Sequence, residues 1–221
     1  LKHSIGDFDG QSTLGKDEVV SKRFDAGKEL LAVRSPHITM GNLWVVNNVE
    51  REEYVKYFNL TEQIIAINSV GCNVLERLSG SDFDSDTVLL TDNPMLISKA
   101  KQNYDKFLVP TSTVESKRVE RRNNYWHRYD LDEKTSVKKI GEIVNMSQIL
   151  NSRLWEIKRE GGNYNEIYKD ICKLAVMSGI EIDKSKLEAA VNNAHELKLL
   201  KKKYPELMKE KPMFFYHLHT N

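Results

Sequence analysis

Four short, fully apolar runs constrain this chain most. Leu30-Leu31-Ala32-Val33 is closed by Ser35 and Pro36, and Leu43-Trp44-Val45-Val46 follows Gly41 and Asn42. Ile64-Ile65-Ala66-Ile67 ends at Asn68 and Ser69, and Thr87-Val88-Leu89-Leu90 stops at Thr91-Asp92-Asn93-Pro94. Apolar runs of this length between turn residues read as buried strands. None shows the clean in-out alternation of a sandwich. With irregular connections between them, they predict a small closed barrel.

The second half has a different texture. Pro94 suits the first turn of a helix through Met95, Ile97 and Ala100. After Gly141, Ile143, Val144, Ile149, Leu150 and Leu154 fall at helical spacing, and Gly161-Gly162 breaks that helix. A further helix is predicted from about Asn165 to Met177, stopped by Gly179, and another from Lys184 to about Lys203, ended before Pro205. The chain is therefore read as α+β: a loop-rich segment at 1–28, a barrel region at 29–103, a polar basic connector at 104–140 and a helical extension at 141–221.

Composition sets outer bounds. Of 221 residues, 40% are hydrophobic and 29% charged, which describes a soluble globular protein with a core. The 33 Lys plus Arg against 32 Asp plus Glu require any basic surface to be local. No apolar run reaches the ~18 residues of a membrane span, and Leu1-Lys2-His3 lacks the apolar stretch of a signal peptide. Cys72 and Cys172 cannot build a disulfide framework, so a reducing cytoplasm is expected. A first residue of Leu in place of Met leads us to expect a processed product or a piece of something longer.

The sharpest chemical feature is Ser81-Asp82-Phe83-Asp84-Ser85-Asp86. Three carboxylates at alternate positions repel one another, and a hard divalent cation relieves that cost. An extended strand would put all three on one face, whereas a tight loop would turn them around one ion. From the residues alone, an Asp-rich surface turn reads equally well. A helix–loop–helix calcium site does not, because positions six and twelve counted from Asp82 hold Thr87 and Asn93. Asp7-Phe8-Asp9-Gly10 reaches Glu18 at position twelve but has Ser12 in the glycine position, and is read as a turn.

Arg34-Ser35-Pro36-His37 directly follows a predicted strand, and Arg34 carries a fork suited to phosphate or ribose oxygens. Alone, that tetrapeptide is more often a surface turn than a site. No other histidine has a partner at metal-ligand spacing, His217 and His219 lie at the tail, and Cys72 reads as a structural thiol. Lys117, Arg118, Arg121, Arg122 and Arg128 surround Tyr125, Trp126 and Tyr129, a pattern that fits nucleic-acid stacking. Interspersed Glu115, Glu120, Asp130, Asp132 and Glu133 fit a solvated face just as well. Lys198, Lys201, Lys202 and Lys203 read as the cationic end of a helix.

Together, the Arg34-Ser35-Pro36-His37 turn and the Asp82-Phe83-Asp84-Ser85-Asp86 loop resemble the catalytic double-psi β-barrel of two-barrel RNA polymerases. That group spans the largest subunit of DNA-dependent RNA polymerases, the silencing-type RNA-dependent polymerases, and single-chain relatives in bacteria and phages. Its barrel carries R-x-P and, some tens of residues later, D-x-D-G-D; here Arg34 stands 48 residues before Asp82. Gly141 through Ser147 resembles a helix after the barrel in the silencing-type enzymes, and Ala175 through Asp183 and Lys184 a later one. The resemblance covers about 29–103 and 140–186.

The resemblance implies a double-psi barrel at 29–103 and an RNA polymerase activity, Mg²⁺-dependent nucleotidyl transfer to an RNA 3′ end. Asp82, Asp84 and Asp86 would be catalytic and would hold Mg²⁺, with Mn²⁺ as the substitute, while Arg34 would face the nucleotide or the 3′ end. Partners would be a nucleic-acid template, DNA or RNA, with the RNA product and nucleoside triphosphates. Two departures stand out. Ser85 occupies the family's glycine position, and there is room for only one barrel. A second barrel must come from the rest of the polypeptide or from a partner, and this chain alone is expected to be inactive. The rival readings are a metal-dependent nuclease or other phosphoryl-transfer enzyme, and a non-catalytic nucleic-acid-binding barrel.

Overall fold

Strand residues that are apolar on both sides need cover on both faces of their sheet, and this organises the first half of the computed structural model. The structure describes residues 2–3, 13–111, 120–136, 139–184, 192–212 and 215. It divides into two compact units, Leu1–Pro110 and Thr111–Asn221. The first unit holds strands β1 (Lys2–His3), β2 (Glu18–Ser21), β3 (Glu29–Val33), β4 (Trp44–Asn48), β5 (Ile65–Ile67) and β6 (Leu89–Thr91). They form one mixed sheet in the order β1-β5-β2-β4-β3-β6. Pairing is parallel for β1–β5 and β2–β4, and antiparallel for β2–β5, β3–β4 and β3–β6.

Alternate side chains of these strands enter different clusters. Val19, Leu30, Ala32, Trp44, Val46 and Ile67 pack with Val74 and Leu78, which come from helix α2 (Val74–Arg77) and the residue after it. On the other side, Leu31 and Val45 pack on Ile97 and Ala100 of helix α3 (Pro94–Asn103). Val20 and Ala66 pack on Tyr54 of helix α1 (Glu52–Tyr57) and on Leu14 and Leu60. Continuous apolar runs therefore suit β3, β4 and β5, whereas the run 87–90, expected to be buried, lies at the sheet edge with Leu89 exposed. Helix α3 starts as its sequence predicts, with Pro94 in the first turn and the Asn93 side chain accepting from the Met95 and Leu96 N–H groups.

The closed barrel expected over 29–103 appears as a curled half-barrel. Strands β1 and β6 are the two edges of the sheet, with no pairing between them among the described residues. A cavity of about 880 Å³ lies beside β6, lined in part by Ser21, Phe24, Ile64, Val88 and Leu90. The segment 1–28 is not loop throughout. Glu18–Ser21 is a central strand whose two apolar residues, Val19 and Val20, are too few to show a period, yet both are buried. The buried Asn48 amide secures its end, accepting from the Ser21 N–H (2.8 Å) and donating to the carbonyls of Ser21 (3.0 Å) and Phe24 (2.7 Å).

The connector expected at 104–140 is divided. Residues 104–110 belong to the first unit, where Phe107 is buried and the Leu108 carbonyl leaves no space for a Cβ on Gly41. Helix α4 (Tyr125–Ser136) belongs to the second unit, with α5 (Ile140–Arg159), α6 (Asn165–Asp183) and α7 (Asn193–Lys203). Gly161, at φ +74°, makes the turn between α5 and α6. Gly179 does not stop α6, which runs on to Asp183. Burial of the neighbouring Met177 helps offset the ~1 kcal/mol cost of a mid-helix glycine. The Glu181 carboxylate accepts from the Lys139 N–H at the start of α5 (2.9 Å) and from the Asn193 amide of α7 (2.9 Å), so one buried anion joins three helices. The helix expected from Lys184 begins at Asn193 in the described residues, and 185–191 lie outside them.

Trp44 is the largest fully buried side chain, 1% exposed, at the centre of the sheet core. Trp44→Ala should lower the free energy of unfolding by about 3–5 kcal/mol, measured by urea denaturation followed by circular dichroism. A loss below about 1 kcal/mol would contradict this packing.

Candidate metal centre

The acidic loop is held at both ends. Upstream, α2 places Leu78 in the core, and the backbone turns through Ser79 (φ +58°) and Gly80 (φ +70°). The Gly80 and Ser81 N–H groups both return to the Leu75 carbonyl, at 2.9 and 3.1 Å. Downstream, β6 pairs with β3 in a register that sets Leu89 opposite Val33. Residues just after Val33 and just before Leu89 are thereby neighbours. Arg34 and Asp86 meet across 52 positions of sequence for this reason.

Within the loop, the ligand oxygens of Asp82, Asp84 and Asp86 all lie within 4.8 Å of one another. The Asp86 carboxylate accepts from the Asp82 N–H (2.9 Å), and the Asp82 carboxylate accepts from the Asp84 N–H (3.3 Å). Octahedral Mg²⁺ at ~2.1 Å from each oxygen sets ligand oxygens no more than about 4.2 Å apart. Small side-chain rotations reach that spacing. The donor set is hard oxygen only and faces solvent at Asp82 and Asp84, so it fits a partly hydrated Mg²⁺ or Mn²⁺.

Arg34 reaches this loop directly. Its Nη2 donates to Asp86 Oδ1 at 2.7 Å, and its Nη1 donates to the Ser79 carbonyl at 3.1 Å. The Ser79 hydroxyl in turn donates to the Pro36 carbonyl at 2.9 Å. The Arg-Ser-Pro-His turn and the acidic loop thus form one cluster. Asn42 adds support that sequence reasoning missed: its amide donates to the Glu76 and Arg77 carbonyls at the end of α2, at 3.1 and 3.3 Å. A buried Asn after a glycine is too common a pattern to have signalled this role.

Cys72 Sγ donates to the Asn68 carbonyl at 3.1 Å, and burial pushes its thiol above the ordinary cysteine value, as for an unactivated thiol. On α4, Tyr125, Trp126 and Tyr129 are exposed while Arg121 pairs with Asp130 at 3.1 Å. Lys117, Arg118, the Asp7-Phe8-Asp9-Gly10 turn, His217 and His219 lie outside the described residues.

Ser85 sits at φ +147°, a backbone conformation that glycine adopts freely and residues with a Cβ rarely do. Ser85→Gly should therefore raise unfolding stability by about 1 kcal/mol, net of the entropy glycine adds to the unfolded chain. Urea denaturation of the two proteins measures it, and a loss of stability would show that Ser85 is unstrained.

Comparison with known proteins gives the family. The family model described as RNA dependent RNA polymerase matches residues 5–219. The fold is similar to that of the RNA dependent RNA polymerase QDE-1 from Thielavia terrestris, with a TM-score of 0.50 and 14% sequence identity. That likeness covers 92% of this chain and 24% of that one, so the chain spans about a quarter of that polymerase's length. Among curated proteins there is no match. With nearly the whole chain inside one family model, this chain belongs to the RNA-dependent RNA polymerase family.

Proposed function

We propose that this chain is the catalytic-barrel portion of an RNA-templated RNA polymerase that adds nucleotides to an RNA 3′ end. The observation that carries the reading is the convergence of Asp82, Asp84 and Asp86 on one point of a loop in a member of this family. On this reading the half-barrel is the catalytic double-psi barrel, and a second barrel comes from the rest of the polypeptide or from a partner subunit. The enzyme works in the cytoplasm, and no helix among the described residues is long and apolar enough to cross a membrane.

Asp82, Asp84 and Asp86 would hold Mg²⁺, or Mn²⁺ in its place. When bound, the cation lowers the pKa of the attacking 3′-hydroxyl and offsets charge on the attacking and leaving oxygens. The reaction joins the 3′-oxygen to the nucleotide α-phosphate and releases pyrophosphate. The three carboxylates supply anionic ligands while leaving coordination positions for substrate oxygens. Loop backbone N–H groups hold two of those carboxylates in place before substrate arrives. Arg34, within hydrogen-bond reach of the loop, offers a planar cationic fork to phosphate or ribose oxygens. Cations from the second barrel would balance the rest of the triphosphate charge. A nuclease or other phosphoryl-transfer reading finds less support, because the family match covers almost the whole chain. A non-catalytic scaffold has no need of all three aspartates.

Asp84 is exposed and lies outside the core clusters. In the complete polymerase, Asp84→Ala should reduce template-dependent nucleotide incorporation at least ~10³-fold while leaving the melting temperature and template binding nearly unchanged. The 221-residue chain alone should show no templated synthesis. Equal incorporation by the complete enzyme and its Asp84→Ala variant would sink the polymerase reading. Robust synthesis by this chain alone would refute the need for a second barrel.

A further inference from the structure

The Arg34 guanidinium is already engaged within the protein. It bonds Asp86 at 2.7 Å, and the two side chains are only 17% and 21% exposed. Pairs at the open surface contribute little, but this one is shielded from solvent on most sides. The remaining partners of the guanidinium are the carbonyls of Ser79 (3.1 Å) and Leu78 (3.5 Å), which orient it without offsetting its charge. Asp86 is thus the anion that balances Arg34 among the described residues. It is also one of the three carboxylates whose mutual repulsion a divalent cation would relieve. Beside the pair lies a cavity of about 250 Å³ lined by Val33, Arg34, Ser35, His37, Asp86 and Thr87 among others, with room for a guanidinium to swing or an oxyanion to enter.

We propose that Arg34 is the resident counter-ion of the acidic loop: it neutralises Asp86 in the empty site, and releasing Asp86 to a divalent cation frees it to bind the phosphates of a nucleotide. This rests on the metal reading above and adds a coupling to it. A cation at the three aspartates competes with Arg34 for Asp86. A nucleoside triphosphate that draws Arg34 away removes the competitor, so metal and nucleotide each strengthen binding of the other by the same factor. The arrangement keeps three carboxylates assembled at low cost before the metal arrives. It also makes the metal site weak until substrate is present.

The test is a Mn²⁺ titration of the 221-residue chain without nucleotide, read by electron paramagnetic resonance of the free ion. Arg34→Gln, which removes the charge, should bind Mn²⁺ roughly three- to tenfold more tightly than the unsubstituted chain. Arg34→Lys, which keeps a cation there, should stay within about twofold. High salt should narrow the difference, since the Debye length falls to about 3 Å at 1 M. Equal or weaker Mn²⁺ binding by Arg34→Gln would overturn the proposal. Asp84→Ala separates the two readings. If it abolishes Mn²⁺ binding while Arg34→Gln changes nothing, the metal site stands and the counter-ion role fails. If it leaves Mn²⁺ binding intact, the metal site fails and takes this proposal with it. Should Arg34→Gln not fold, the unsubstituted chain provides the second measurement. The hindered-rotation ¹⁵N signal of the Arg34 guanidinium, assigned by its loss in Arg34→Lys, should broaden toward free rotation as Mg²⁺ is added. A signal unchanged at saturating Mg²⁺ would refute displacement.

Discussion

The antiparallel pairing of β3 with β6 is the constraint on which the rest of this structure depends. Its register sets Val33 opposite Leu89, so the chain leaving one strand and the chain entering the other meet at the same end of the sheet. The candidate metal loop and Arg34 sit at that junction. Arg34 follows Val33 directly, and the acidic loop ends three residues before Leu89. Because side chains alternate along a strand, a slip of one residue would turn Leu31 and Ala32 to the wrong faces. The register is therefore enforced by burial of those side chains in two separate clusters.

Burial also explains how a charged loop is kept in shape without a strand of its own. Asp82, Asp84 and Asp86 contribute nothing to the core, and Ser85 holds a backbone conformation that resists its side chain. The energy that keeps the loop folded lies next to it. Leu78 is fully buried just upstream, the Gly80 turn closes on the Leu75 carbonyl, and β6 anchors the downstream end. Arg34 then links the two sides, holding the Ser79 carbonyl with one nitrogen and Asp86 with the other. A shielded, charge-assisted hydrogen bond of this kind contributes about 1.5–3 kcal/mol. That is enough to fix a loop and still small enough for a divalent cation to displace.

The second unit follows a different logic, since helices satisfy their own backbones and need only a shared apolar face. The α5 and α6 faces supply it through Ile143, Leu150, Leu154, Ile171 and Leu174. Glu181 adds a polar junction at the start of α5, where a carboxylate suits the positive end of the helix dipole. Its hydrogen bonds to the Lys139 N–H and the Asn193 amide tie down the end of α6 beyond Gly179, which local propensity alone would make a stop.

Much of this was legible from residues alone. Four apolar runs announced four of the six strands among the described residues to within a residue or two, and Pro94 announced the start of α3. The alternating aspartates and the Arg-Ser-Pro-His turn stood out for their charge, but each read alone as a surface turn at least as well, and only their joint resemblance to the polymerase barrel motifs made them a candidate site. Strand β2 was not legible, since two valines make no period, and its strand character comes from partners on both sides. Nor was the Arg34–Asp86 contact, which exists only because β3 and β6 pair. Sequence by itself picked out four apolar strand segments, of which 87–90 proved only partly covered, and the charged residues that are candidates for chemistry, because hydrophobicity and charge are local. Only the tertiary structure decided which strands are neighbours, where the half-barrel stays open, and that Arg34 rests on a prospective metal ligand. Those outcomes depend on register and packing between residues far apart in the chain, where no local preference reaches.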